Sequence, residues 1–373
     1  MATSVYVHIP FCAHKCDFCD FAAFQGADNL IPIYFETLWQ ETEGRAHGGD
    51  KGGPLQTIFF GGGTPGYVNP SYIARTTATL DKLWGISPCA EITLETTPQV
   101  ITAESLAGWQ ESRINRLSIG IQSLNDTELT ALGRDHTAAE ALSGLELAIS
   151  TGSFALSCDL MYGLPGQTLK SWGETLAEIL SFRLDHLSAY GLMLEPGTPL
   201  YRRLPREKGN CADEEIFAQM YGLLRSRAFQ SGLRQYEISN FARPGFESAH
   251  NINYWKNRKY QGFGVSAHRY LNGVRSSNWK SLKRYLADPT GNETFEIIDD
   301  DTRLAEGIFL GLRMVSGVNL AEFAALYGFE LTDRFAPTIA RLEAAGLIEV
   351  EDGHMRLAAD SYLVSNSVMT EFI

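Results

Sequence analysis

Along the first 200 residues, short apolar runs alternate with stretches whose apolar positions recur every three or four residues. The runs predict strands over residues 5–9, 57–60, 91–95, 116–121, 155–160 and 186–194. The periodic stretches predict helices over 33–43, 71–84, 102–111, 138–150 and 171–182. Strand and helix in strict alternation build parallel βαβ units, and six such strands make a barrel or part of one. In parallel α/β barrels the reactive groups lie on loops that follow the strand C-termini, so chemical motifs are expected just after strands. A glycine-rich stretch, 47–54, reads as an exposed connection.

Beyond residue 194 the rhythm changes. A long helix is expected over 213–230, then strands over 235–241 and 265–270 around an aromatic, polar segment. From about residue 301, helices over 305–314, 320–327 and 335–345 precede short strands over 348–351 and 354–357, joined by a tight turn at Asp352-Gly353. The expected organisation is an α/β unit over 1–235, a connecting segment over 236–300 and a small winged-helix-like domain over 301–373. That last unit holds 11 acidic residues against five Arg and no Lys, which fits packing better than a grip on DNA.

The whole chain carries 44 acidic and 31 basic residues, a net charge of −13. Bulk electrostatic attraction to nucleic acid or an anionic membrane is thereby excluded as a mode of action. No run approaches the roughly 18 apolar residues of a spanning helix, so any membrane contact is expected to be peripheral. The N-terminus has no basic region ahead of its apolar stretch, which points to a cytoplasmic location.

Three of the six cysteines fall within eight residues, in YVHIPFCAHKCDFCDF over 6–21. A disulfide framework in a secreted chain uses regular pairs; a tight trio of thiols in a reducing compartment more often holds metal. Cys12, Cys16 and Cys19 follow the first expected strand with the spacing C-x3-C-x2-C. Three thiolates leave one iron of a four-iron cluster open to a further ligand. Phe11, Phe18 and Phe21 are candidates to shield such a cluster from water. A zinc site with His8 or His14 as fourth ligand, or three structural thiols, remain as alternatives. The scattered Cys89, Cys158 and Cys211 read as packing residues.

Other motifs also close expected strands. Gly61-Gly62-Gly63-Thr64 offers bare backbone to a ligand. Glu95 at a strand tip can accept hydrogen bonds from an ammonium or a ribose hydroxyl, Gln122 can donate and accept, and Arg134 can clamp a carboxylate. Asp159, an acid within an apolar strand, needs a partner or a ligand. Each also has a plain structural reading: a tight turn, a surface acid, a strand cap, a salt bridge, a buried pair.

C-x3-C-x2-C after a first strand, with Phe18 before the last cysteine, resembles the radical S-adenosylmethionine (SAM) superfamily. YVHIPFC, FFGGGTP, LSIGIQSL, LGRDH, DLMYGLPGQT, YEISNFA and HNINYW, in that order, resemble the branch holding oxygen-independent coproporphyrinogen III dehydrogenase and the heme chaperones. The resemblance implies a partial (β/α)6 TIM-like barrel with a small C-terminal domain. It implies a [4Fe-4S] cluster on Cys12, Cys16 and Cys19, and SAM held by Tyr6, Gly62, Gly63, Thr64, Glu95, Gln122, Arg134 and Asp159. Its chemistry is one-electron cleavage of SAM by the reduced cluster. Thr97-Pro98 stands where the family pattern has Asn-Pro.

The dehydrogenases carry a further cysteine two positions after the third, and a long N-terminal arm. Here Phe21 occupies that position and eleven residues precede Cys12, which implies the heme-chaperone branch. That branch binds heme and passes it to acceptor proteins, with an electron donor as a further partner and a monomer or homodimer as the assembly. His250 in HNINYW is the candidate heme ligand, with Tyr254 and Trp255 able to border a porphyrin; its alternative is a packing loop. His268 is a second candidate.

Overall fold

Strands β1 (Ser4–Ile9), β2 (Leu55–Gly62), β3 (Ile86–Thr96), β4 (Arg116–Gln122), β5 (Ala155–Tyr162) and β6 (His186–Gly191) pair in parallel, in sequence order. Between them run α1 (Ile31–His47), α2 (Pro70–Trp84), α3 (Ala103–Glu111), α4 (Ala138–Thr151) and α5 (Leu169–Ser181). The computed structural model describes residues 3–47, 53–204 and 213–373. Most of the glycine-rich connection expected over 47–54, and Cys211, lie outside them. Five of the helix starts are fixed by local chemistry: Asn69 caps α2, and Thr102, Thr137 and Thr168 each close a reciprocal capping box with the residue three positions on; α6 (Glu214–Gln230) is capped by Asp213.

The strands alternate in an instructive way. Val5, Val7, Ile58, Phe60, Ile92, Leu94, Leu117, Ile119, Leu156, Cys158 and Leu187 are buried in the main core with the helices. Residues of the opposite phase, among them Tyr6, Phe59, Glu95, Ser118, Asp159 and Ser188, line an interior cavity instead. With period-two side chains, one face of the curved sheet packs on helices and the other makes a polar lumen.

Three short strands complete the sheet. Residues expected to form one strand over 235–241 form two, β7 (Arg234–Gln235) and β8 (Asn240–Ala242), pairing antiparallel at the β6 edge in the order β6-β8-β7. A tight turn divides them: Asn240 N–H donates to Glu237 O, while the fully buried Glu237 carboxylate accepts from Ser239 N–H and the Asn240 side-chain amide. At the other edge, β9 (Gln261–Phe263) pairs in parallel with β1. The two edges do not pair with each other, so the barrel is partial, as expected.

The strand expected over 265–270 starts instead at His268. Gly264 at φ +97° and Ser266 at φ +60° break the extended backbone, and a Cβ at Gly264 would come within 2.5 Å of His8 O and the Tyr34 hydroxyl. There the buried Glu41 carboxylate accepts from Gly264 N–H, the Asn278 amide and the Tyr285 hydroxyl, and pairs with Arg45. This network pins the end of β9 to α1. The aromatic segment is also more regular than expected: HNINYW forms α7 (Ala249–Trp255), capped by Ser248.

Strands β10 (His268–Leu271), β11 (Val274–Ser277) and β12 (Thr294–Ile297) make a small antiparallel sheet. The C-terminal unit follows expectation. Helices α8 (Asp300–Arg313), α9 (Leu320–Tyr327) and α10 (Ala336–Ala344) pack with β13 (Val318–Asn319) and the hairpin β14 (Ile348–Glu351) to β15 (His354–Leu357). The hairpin turns at Asp352 and Gly353, both at positive φ. Leu304 and Ile308 of α8, Ile339 of α10 and Met355 of β15 belong to the same core as the barrel.

Cys158 is fully buried, as a packing residue should be. Cys89, expected to pack, is exposed instead, because it falls between Ile86 and Glu91, where the β3 register against β2 shifts and the strand bulges out of pairing.

Candidate functional site

Thirteen of the residues singled out as site candidates line one cavity of about 550 Å³: Tyr6, Cys12, Cys16, Phe18, Cys19, Gly62, Gly63, Thr64, Glu95, Gln122, Arg134, Asp159 and His250. They come from β1 to β5, the loops that follow them, and α7. The expectation that chemical motifs follow strands holds for the cysteine loop after β1, the glycines at the end of β2, Glu95 as the penultimate residue of β3 and Gln122 at the end of β4; Asp159 instead lies within β5, three residues before its end.

The cysteine loop is fastened on two sides. Gly63 N–H donates to Ile9 O at 2.8 Å and Thr64 N–H to Phe11 O at 2.8 Å, so the glycine turn is stitched to the start of the loop. On the other side Asp17 N–H donates to Leu132 O, Leu200 N–H donates to Asp17 O, and Arg203 pairs with the Asp17 carboxylate at 2.8 Å. Two thiols have polar neighbours: Thr64 Oγ1 lies 3.6 Å from Cys12 Sγ and Arg134 Nη1 lies 3.1 Å from Cys16 Sγ. Burial pushes the Cys12 thiol up to about 11 and raises that of Cys19. Only a cation at the sulfurs makes them thiolates at neutral pH.

Among the described residues, no three His, Cys, Asp or Glu side chains group tightly enough to hold a single metal ion. His8 is committed: Nε2 meets Ala22 O at 2.9 Å, Nδ1 meets the Tyr6 hydroxyl at 3.1 Å, and the ring packs against Gly62. His14 is exposed at the cavity edge. Of the three shielding aromatics, Phe18 is partly buried on the cavity wall. Phe11 is buried in the core edge-on to Tyr34, and Phe21 is 64% exposed at the rim.

Gln122 stands at φ +68°, at a β-bulge where the β4–β5 register slips after Gly120. A bulge re-aims a side chain, and a non-glycine residue at positive φ is strain commonly kept at functional sites. Arg134 donates to Gly120 O at 2.7 Å, and its buried Nε has no partner. A polar atom left unpaired beside the thiols is what an arginine awaiting a carboxylate presents. Glu95 accepts from Gly62 N–H at 3.1 Å. Asp159 accepts from Ser118 Oγ at 2.7 Å and Ser157 Oγ at 3.3 Å. Loss of solvent, and then the neighbouring Asp159, push the Glu95 carboxyl up to about 8, against the backbone donor Gly62; burial raises Asp159 as well. Two acids strained this way favour a cationic or hydroxyl-rich ligand, and SAM has an ammonium, a sulfonium and ribose hydroxyls.

The raised Glu95 carboxyl has a measurable signature. In the unfolded chain it ionises near 4.5, whereas the folded protein keeps its proton to about 8. The folded state thus binds more protons between those values, and the carboxyl's contribution to stability falls as pH rises through that window. In the ligand-free protein, Glu95→Gln is expected to flatten the decline in melting temperature between pH 4.5 and 8. Parallel melting curves for parent and variant across that range would refute the burial argument.

His250 is fully buried on α7. Its Nδ1 meets Thr57 Oγ1 at 2.8 Å, its Nε2 meets the Tyr254 hydroxyl at 2.8 Å, and its ring stacks on Phe59 with centroids 5.2 Å apart. Burial lowers it to about 3, so it is a neutral imidazole. Coordination to iron requires release of one of those two hydroxyls. Tyr254 lines the cavity, but Trp255, about a quarter-turn on, packs beneath Arg313 of α8 instead. His268 is exposed on β10 and does not line the cavity.

The sequence reading missed the polar lumen below this site: Thr93, Arg116, Ser118, Ser157, His186, Ser188 and Tyr190. Their signal is the alternation itself. Arg116, Ser118, Gly120 and Gln122 recur at every second position, as do Ser157 and Asp159, and His186, Ser188 and Tyr190.

Comparison with known proteins agrees with this geometry. Residues 6–179 match the radical SAM superfamily, and residues 298–359 match the HemN C-terminal domain. The heme chaperone HemW of Bacillus subtilis is 35% identical over 377 residues, covering 99% of both chains. The heme chaperone HemW of Lactococcus lactis is 32% identical, covering 99% of this chain and 97% of its own. Among solved structures, the coproporphyrinogen III oxidase HemN of Escherichia coli, a radical SAM enzyme, superposes with a TM-score of 0.85 at 25% identity, covering 99% of this chain and 89% of its own. The chain belongs to the radical SAM superfamily, in its HemN-like branch alongside the HemW proteins.

Proposed function

We propose that this protein is a heme chaperone that carries a [4Fe-4S] cluster on Cys12, Cys16 and Cys19, holds SAM against the open iron, and delivers heme to acceptor proteins in the cytoplasm. The observation that carries the reading is the convergence of the three cysteines, the candidate SAM contacts and His250 on one cavity, in a chain related over its full length to HemW proteins. Arg134, with its unpaired Nε, would receive the SAM carboxylate. Glu95 and Asp159 would face its cationic and hydroxyl groups, the bare backbone of Gly62 and Gly63 would border it, and Thr64 would hold the turn against Cys12. Tyr6, stacked on Phe59, and the bulged Gln122 would flank it. Bound there, cluster and SAM supply one-electron chemistry. The protein's own contribution is to orient the two and keep water from the sulfurs.

A second reading, oxidative decarboxylation of coproporphyrinogen III, is favoured by the structural likeness to HemN. Phe21, in place of a further cysteine after the trio, speaks for the chaperone. Titration of the reconstituted protein with hemin, followed at the Soret band, is expected to saturate, while coproporphyrinogen III is not turned over. Robust conversion to protoporphyrinogen would overturn the chaperone assignment.

A further inference from the structure

Two buried polar atoms in the lower lumen lack any partner: Arg116 Nη2 and Thr93 Oγ1. Both residues line the cavity, yet they are only 4% and 1% exposed. They are also neighbours, since Thr93 on β3 stands opposite Arg116 on β4 in the strand register. Buried donors are nearly always satisfied, and two orphans side by side on adjacent strands, facing a cavity, call for an occupant.

The chemistry of the pair selects the occupant. The guanidinium is held in place by Nη1 donating to Phe246 O at 2.8 Å, which leaves a cationic N–H edge free. Two carboxylates lie near it: Glu91, 3.9 Å from Nη1, and Asp159, whose ionised form the guanidinium favours through space. Glu91 is already engaged with Ser248 Oγ at 3.3 Å and with Ala249 N–H and His250 N–H at 3.0 Å each. Asp159 accepts from serines, and burial favours its protonated form. Arg116 is therefore under-neutralised within a low-dielectric wall. A fixed guanidinium edge beside a hydroxyl donor is the recognition unit of a carboxylate.

We propose that Arg116 and Thr93 form a carboxylate subsite in the barrel lumen, beneath the cluster and SAM, and that it receives a carboxylate arm of a tetrapyrrole. The proposal deepens the functional reading above, and the carboxylate can come from heme or from a coproporphyrin. The cavity then receives its macrocyclic ligand in a defined orientation, with one acidic arm inward.

The test uses the reconstituted holoprotein with SAM and four probes: hemin, hemin dimethyl ester, coproporphyrin III and its tetramethyl ester. The parent is expected to bind at least one acid about tenfold or more tightly than its ester, the worth of a charge-assisted hydrogen bond. Arg116→Lys and Thr93→Val are expected to shrink that ratio. Thr93→Val removes an unsatisfied hydroxyl at nearly constant shape, so its fold should be retained even where the arginine variant fails to accumulate. Equal binding of acids and esters overturns the subsite, as does a ratio unchanged in Thr93→Val. Hemin binding without an acid preference defeats the subsite and leaves the chaperone reading intact. An acid preference seen with coproporphyrin III alone keeps the subsite and moves the function to the second reading. If neither tetrapyrrole binds, both fall.

Discussion

Cys16→Ala is expected to abolish cluster assembly, taking iron and sulfide after anaerobic reconstitution, and the broad visible absorbance, from full loading to background. Of the three thiols, Cys16 is the one fixed by Arg134, through Nη1 at 3.1 Å; its own carbonyl accepts from Cys19 N–H, and the next residue, Asp17, donates its N–H to Leu132 O. Its loss removes a corner ligand that no neighbour can replace: His8 has both ring nitrogens engaged, and His14 is turned out to the edge. Cys12→Ala and Cys19→Ala are expected to behave alike. Cys89→Ala, on the exposed first part of β3, should load fully and serves as the control. An unchanged spectrum in Cys16→Ala would remove the cluster assignment, and zinc bound stoichiometrically by a parent that refuses iron would restore the zinc alternative.

Gly63→Ala is the second large effect. A Cβ at residue 63 would lie 2.7 Å from Phe11 O and 2.8 Å from the Pro10 carbonyl carbon, both backbone atoms that cannot step aside, and 3.0 Å from Cys12 Sγ. The added methyl must push the glycine turn away from the cysteine loop, breaking the Gly63-to-Ile9 and Thr64-to-Phe11 hydrogen bonds that join them. Overpacking of this kind costs about 1–3 kcal/mol. The expected result is a lower melting temperature together with weakened cluster loading, since Cys12 moves with the loop. Gly44→Ala on α1, where a Cβ meets nothing within 4 Å, should do neither. Full loading with an unshifted melting curve in Gly63→Ala would show that the turn does not set the position of Cys12.

The repeating strands and helices of the barrel were legible because each carries its own local instructions. Apolar runs of strand length alternate with helices opened by Asn69, Thr102, Thr137 and Thr168, and the hairpin at Asp352-Gly353 needs only its turn residues. The cysteine loop, the glycine turn, Glu95 and Gln122 were legible for a similar reason, since each is a short cluster at a strand end. What escaped depends on distant partners. Gln261–Phe263 is three residues long, and its strand character comes from β1, over 250 residues earlier in the chain. The break at Gly264 follows from the close approach of His8 and Tyr34, and the split at Glu237 from a buried carboxylate that gathers its own donors. The lumen was missed because alternating polar residues on a strand usually mean a face turned to water, and here that face turns inward.

The placement of β9 carries a consequence for biogenesis. Strand β1, which leads straight into the cysteine loop, is flanked on one side by β2 and on the other by a segment from the last third of the chain. During synthesis β1 therefore stays a bare edge until residue 263 has emerged, and the Glu41 network that pins that segment waits further for Asn278 and Tyr285. Iron delivered to the nascent N-terminus would meet a loop with one wall missing. The surroundings of the cysteine loop are thus complete only once the chain has been made as far as Tyr285, long after the loop itself has emerged.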